Sequence, residues 1–222
     1  MSTSPLELDA YVVPLVRGDR LLDLGCGYGH WGHLTRTHYA ESQSRPISIT
    51  GVDLFDGNVS FCQSLGIYDE VVLADVVAYV SGLPSASFDT VIAVELIEHL
   101  TREDGVRLLT ELDRITRKVA ILSTPNFPAL RGGGHTKLGF NEWEHHLSQW
   151  TPRDFSARGY EVLGISHKLH KIMPGGWRLF SASRGLNAVA RAVAESWPAI
   201  SLNLLAVKHY DDHPMKFTFG LG

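Results

Sequence analysis

An α/β fold, a largely parallel sheet with helices on both faces, is what this sequence predicts, and three observations predict it. Short β-branched runs alternate with amphipathic stretches along the chain, as happens when each strand is followed by a crossover helix. A Gly-rich turn, "LLDLGCGYGHWG" at 21–32, closes the first of those runs and opens the first amphipathic stretch. Three acids, Asp23, Asp53 and Asp75, then fall at the ends of three successive runs, where a parallel sheet would gather them at one carboxyl edge.

In chain order the candidate strands are "RLLDLGC" at 20–26, "ISITGVDLF" at 47–55, "EVVLAD" at 70–75, "FDTVIAVEL" at 88–96, "KVAILSTPN" at 118–126, "YEVLGIS" at 160–166 and "LNLLAVKHY" at 202–210. Helices fit at about 29–42, 57–66, 102–117, 152–159 and 184–196. The connection "RGGGHTKLGFNEWEHH" at 131–146 is too long for a turn, and its Gly132, Gly133 and Gly134 mark it as a candidate lid over an active site. Between the sixth and seventh strands lies a helical insertion at about 171–198. The stretch 167–191 carries Lys168, Lys171, Arg178, Arg184 and Arg191 and no acid, so it could meet a phosphate or simply be a solvated face.

Composition bounds the function. With 222 residues, 44% of them hydrophobic, the chain can bury the core of one domain spanning 1–222. A net charge of -4 gives no overall attraction to nucleic acid or to an anionic membrane. Cys26 and Cys62 lack metal-type spacing and suit reduced thiols. No leader-like start and no apolar run of about 18 residues is present, so a cytoplasmic protein, monomer or homodimer, is expected.

The Gly-rich turn lets a backbone approach a ligand closely, and Asp53 at the end of the second run is placed to accept hydrogen bonds from ribose hydroxyls. As a set, these motifs resemble the class I S-adenosylmethionine-dependent methyltransferases over roughly residues 15 to 168. "LLDLGCGYG" is similar to their cofactor loop, "GVDLF" to their ribose-binding acid, "LADV" to their adenine-side acid, "FDTVIAVELIEHL" to their fourth-strand motif and "STPN" to the end of their fifth strand. The resemblance implies a Rossmann-like, seven-stranded sheet whose last strand runs antiparallel between the fifth and sixth. It also implies S-adenosylmethionine as cofactor. Asp23, Gly25, Cys26 and Gly27 would line the methionine moiety, Asp53 the ribose, and Asp75 and Val76 the adenine, with Leu54 a further cofactor-binding residue. Gly-x-Gly-x-Gly in place of Gly-x-Gly-x-x-Gly argues against a nicotinamide oxidoreductase, because no pyrophosphate needs the helix N-terminus. A non-catalytic cofactor-binding scaffold is the other alternative.

"VELIEHL" at 94–100 sets Glu95, Glu98 and His99 at i, i+3, i+4 spacing, so a helical turn there would converge all three. One reading makes Glu95 a cofactor contact and leaves Glu98 and His99 as a cap or an ion pair. The other is a divalent-metal site. Glu-x-x-Glu-His, with a later His shortly before Trp-Thr, resembles the metal-dependent small-RNA 2′-O-methyltransferases and, in part, the ubiquinone-pathway O-methyltransferases. That likeness implies magnesium or manganese on Glu95, Glu98, His99 and His146, with vicinal oxygens on the acceptor. His145 and His135 are alternates, while His30 and His33 are expected to face solvent. Without a metal, His99 or His146 is the candidate general base. Trp143, Phe140 and Trp150 are candidates for an apolar wall or for core. The acceptor is expected to be a small-molecule hydroxyl, the alternative being the 2′-hydroxyl of an RNA end.

Overall fold

The structure, a computed structural model, describes residues 5–42, 46–126, 134–167 and 184–211. Five strands come first: β1 (Arg20–Leu24), β2 (Ser48–Asp53), β3 (Glu70–Leu73), β4 (Phe88–Val94) and β5 (Thr116–Pro125). A small hairpin follows, β6 (Gly134–Thr136) with β7 (Gly139–Asn141), and then β8 (Glu161–Ile165) and β9 (Asn203–His209). All but the hairpin form one seven-stranded sheet in the order β3-β2-β1-β4-β5-β9-β8. The first five strands are parallel, and β9 is antiparallel to both β5 and β8, as the resemblance implied.

The period-2 alternation of the strands builds two cores, one on each face. Leu22, Leu24, Val91, Ala93, Ala120 and Leu122 point to one face, where Val76, Val80, Leu108, Leu109 and Leu112 cover them. Leu21, Ile92, Val94, Val119 and Ile121 point to the other, covered by Leu8, Val12, Leu15, Trp31 and Tyr39. Both faces are dry, which is why the strands read as continuous apolar runs.

The helices are α1 (Asp9–Leu15), α2 (His30–Ser42), α3 (Asp56–Leu65), α4 (Val76–Ser81), α5 (Arg102–Ile115), α6 (Pro152–Ser156) and α7 (Arg184–Ser196). Two of them are absent from the sequence reading. In α4, "VVAYVS" has strand-like β-branching, but Asp75 accepts a hydrogen bond from the Ala78 N–H (2.9 Å) and caps it as a helix. In α1, Pro14 near the C-terminal end hid a pattern that buries Val12 and Leu15.

The first four strands stop about two residues earlier than expected, because the chain turns there. Gly25 has φ 71° directly after β1, and Glu95 has φ 52° directly after β4. The connection expected at 131–146 is partly ordered by the hairpin, with residues 127–133 outside the described residues. Lys168, Lys171 and Arg178 lie outside them too, whereas Arg191 reaches Glu7 at 3.5 Å from α7. Among the described residues no helix is long and apolar enough to cross a membrane.

Candidate active site

Between β1 and α2 the Gly-rich turn is held by main-chain bonds. The N–H groups of Gly25 and Cys26 both donate to Val52 O of β2 (2.8 and 3.1 Å), and the Gly27 N–H donates to Asp53 Oδ2 (2.9 Å). Gly25, Gly27 and Gly29 take positive φ values of 71°, 54° and 82°, which a side chain would strain. Asp53 Oδ1 meanwhile accepts from the Phe55 N–H (2.9 Å) and from Asn58 Nδ2 (3.2 Å). Burial raises the pKa of this carboxyl, and the N–H groups of Phe55 and Gly27 pull it back down.

Behind the turn, Asp23 is 1% exposed and accepts the Tyr68 hydroxyl on Oδ2 (2.6 Å), while Oδ1 is a buried atom with no hydrogen-bond partner. Burial pushes the Asp23 pKa up to about 7, with the charge of Asp53 adding to the rise and Tyr68 opposing it. Gly32 and Gly51 leave the space that the Tyr68 ring fills. Cys26 and Cys62 are both free and buried here, and the Cys26 thiol is pushed up by its hydrogen bond with Cys62 and by burial, so it stays protonated.

Above the carboxyl edge opens a cavity of about 920 Å³, part of it open solvent. Gly25, Asp53, Leu54, Asp75, Val76, Glu95 and His99 all stand on its wall, joined by Leu96, Leu100, Asn141, Trp143 and Leu147. Among the described residues five carboxylates line it, from Asp53, Asp75, Glu95, Asp104 and Glu144, and no Lys or Arg does.

At the far side of the cavity a 3₁₀ turn over Ile97–His99 carries Glu98 and His99. Glu98 is 3% exposed and accepts the Thr124 hydroxyl of β5 (3.0 Å); burial first and the neighbouring Glu95 second push its pKa well above the normal carboxyl value. The N–H groups of Leu147 and Ser148 both donate to Glu98 O (2.8 and 3.1 Å), which fastens the 145–150 segment to this turn. As a result the rings of His99 and His146 meet edge to face, with centroids 4.9 Å apart. His99 Nδ1 lies 3.1 Å from His145 O, so that nitrogen carries the proton and Nε2 keeps the lone pair. Burial, then the nearby His146, lower the His99 pKa.

Residues 22–123 match the family described as the methyltransferase domain. The chain shares its fold with a SAM-dependent methyltransferase from Archaeoglobus fulgidus, at TM-score 0.58 and 21% identity, over 91% of this chain and 90% of that one. The methyltransferase in the Haloferax volcanii Trm112 activator complex matches at TM-score 0.53 and 18% identity, over 94% of this chain and 89% of that one. The cyclase SpnF matches at TM-score 0.52 and 18% identity, over 91% and 78%. Residues 22–123 are thus a methyltransferase domain. No curated protein matches the sequence. Because the cyclase carries the same fold, the acceptor has to be argued from the site and not from the sheet.

The fold brings seven of the expected residues to one wall: Gly25, Asp53, Leu54, Asp75, Val76, Glu95 and His99. Asp23, Cys26 and Gly27 are not on that wall; Asp23 and Cys26 are buried beside Tyr68 and Cys62. Of the four metal-type residues, Glu98, His99 and His146 form a group whose ligand atoms lie within 4.8 Å of one another, and Glu95 stands outside it. The reason is geometric: the turn begins at Ile97, so the helical spacing does not extend back to Glu95, whose φ of 52° swings it away. His145 and His135 are exposed, as is His33, but His30 is paired with Asp9 at 2.7 Å and does not simply face solvent. Trp150 is core at 1% exposure, and Trp143 lines the cavity. Asn58, Glu144 and Leu147 went unnoticed in the sequence, since nothing local sets them apart.

Proposed function

We propose that this methyltransferase transfers the methyl group of S-adenosylmethionine to a hydroxyl of a small-molecule acceptor, with His99 as the general base. The observation that carries the reading is His99 itself, on the same wall as Gly25 and Asp53, with its proton fixed on Nδ1 by His145 O and its lone pair on Nε2. The lowered pKa keeps the ring neutral at pH 7, as a base requires.

The residues fit the cofactor chemically. Asp53 would take the ribose hydroxyls, Asp75 and Val76 would border the adenine, and the glycine turn offers main chain unshielded by side chains. When bound, S-adenosylmethionine supplies an electrophilic methyl next to a positive sulfur. Asp53 and Asp75 would then hold the nucleoside, while Trp143 and Leu147 give the acceptor an apolar wall and His99 removes its proton. Five carboxylates stand on the wall against no Lys or Arg among the described wall residues, an acidic lining that repels an anionic acceptor and supports a small molecule over an RNA end.

A second reading is favoured by the grouping of Glu98, His99 and His146: one carboxylate and two imidazoles would hold a divalent ion there, which would acidify a coordinated hydroxyl. Incubation with methyl-labelled S-adenosylmethionine, a panel of catechols and vicinal diols and a short RNA, with and without chelator, tests both. Label is expected on a small molecule, and survival of transfer after exhaustive chelation selects His99 as base over the metal reading. Label on the RNA alone, or on none of the panel, would overturn the hydroxyl assignment.

A further inference from the structure

Among the described residues three non-glycines have positive φ, and of these only Glu95 stands on the cavity wall. Side chains rarely adopt this conformation, and where they do at a site the surroundings hold them. Four contacts do so here. The Glu95 N–H reaches Ser123 O (3.1 Å) and Ser123 Oγ (3.2 Å) on β5. In return the Ser123 hydroxyl donates to Glu95 Oε1 (2.7 Å), and Asn203 Nδ2 on β9 donates to the same oxygen (3.1 Å). Ser123 and Asn203 are themselves 1% and 8% exposed, so the brace is rigid.

Glu95 also stands at the join between the two halves of the cavity. Its neighbour Leu96 packs on Gly25 of the glycine turn, and His99 lies four residues further on. A methyl donor that reaches from Asp53 to an acceptor at His99 has to lie along the wall that Glu95 shares with both of them. Resting on the cofactor reading above, we propose that Glu95 is the counter-charge to the cofactor's sulfonium, and that Ser123 and Asn203 are positioning residues that aim it. A carboxylate in that role distinguishes the charged donor from its product S-adenosylhomocysteine, whose sulfur is neutral, and so favours product release.

Calorimetric titration of the intact protein with S-adenosylmethionine and, separately, S-adenosylhomocysteine tests this without knowledge of the acceptor. Glu95→Gln should weaken the charged ligand by about tenfold or more, the effect of losing one charge-assisted contact, and leave the neutral one within about threefold. Ser123→Ala and Asn203→Ala should lower the ratio of the two affinities in the same direction by smaller factors, a change that loosened packing alone would not produce. They also carry the test if Glu95→Gln does not fold. Equal weakening of both ligands would assign Glu95 to the ammonium they share and overturn the proposal, as would an unchanged ratio. If the wild-type protein binds neither ligand, the cofactor reading falls and this inference with it; an unchanged ratio in a protein that binds both removes only the inference.

Discussion

On one side of the cavity Gly25, Cys26 and Gly27 are tied by main-chain N–H groups to β2 and Asp53; on the other His99 and His146 meet because an irregular segment is fastened to a 3₁₀ turn by Leu147 and Ser148. The first half is made largely of backbone and one carboxylate. The second is made of side chains borrowed from distant parts of the chain. Backbone sites keep their shape when most side chains change, whereas side-chain sites lose chemistry at a single substitution and leave the neighbouring half intact. The two halves should therefore fail differently.

The largest separation is expected at His99. His99→Ala should lower turnover by about 10²–10⁴, the usual contribution of a positioned base, with S-adenosylmethionine affinity changed less than about threefold. Steady-state rates beside calorimetry measure both quantities. An equal fall in cofactor affinity would mean that the halves are not independent.

Asp53→Ala is the converse and should act on binding. It removes the acceptor for the Gly27 and Phe55 N–H groups and for Asn58 and, on the proposed cofactor reading, the acceptor for the ribose hydroxyls. Two charge-assisted bonds of about 1.5–3 kcal/mol each, partly replaced by water, correspond to a loss of about 10² or more in affinity. Turnover at saturating cofactor should fall far less, and a variant with unchanged affinity would remove the cofactor assignment.

The same contrast governs what could be read from sequence. The glycine turn and the strand-end acids were legible because each is a local pattern whose position follows from strand geometry alone: Asp53 ends β2, and Asp75 caps the helix after β3. Side-chain direction was not legible. Asp23 shares the motif with Gly25, yet it turns inward to Tyr68, a partner 45 residues away. Glu95 keeps its spacing to His99 but not the helical turn that would aim it there. His146 could be named from the order of residues around Trp150, whereas Glu144 and Leu147 depend on how a connection folds back over the sheet.

Asp23 sharpens the comparison through pH. Its pKa is raised from 3.8 to about 7 by burial, so the stability it contributes is fully present below about pH 4 and is lost as pH rises through 7. Asp23→Asn cannot ionise and should escape that loss. Between pH 5 and pH 8 the advantage of the variant should grow by about 3 kcal/mol, from roughly two pK units at 1.36 kcal/mol each, and should level off above. Denaturant unfolding at the two pH values measures it, and a pH-independent difference would mean that Asp23 titrates normally under the glycine turn.

The smallest effect is expected at the fastening of the second half. Ser148 Oγ donates to Ile97 O (3.2 Å) and accepts from Trp150 Nε1 (2.9 Å), so one hydroxyl links the His146 segment to the 3₁₀ turn and satisfies an indole in the core. Ser148→Ala leaves the Trp150 N–H, on a ring 1% exposed, without that acceptor. Such a buried donor costs about 1–3 kcal/mol, and at about 2–4 °C per kcal/mol for a domain of this size the melting temperature should fall by several degrees. Because the glycine turn and Asp53 share no bond with Ser148, affinity for S-adenosylmethionine should stay the same. Turnover should drop a few-fold as His146 loses its fixed place beside His99. Were cofactor affinity to fall in step with turnover, the two halves would be one cooperative unit and the contrast drawn between backbone and side-chain construction would not hold.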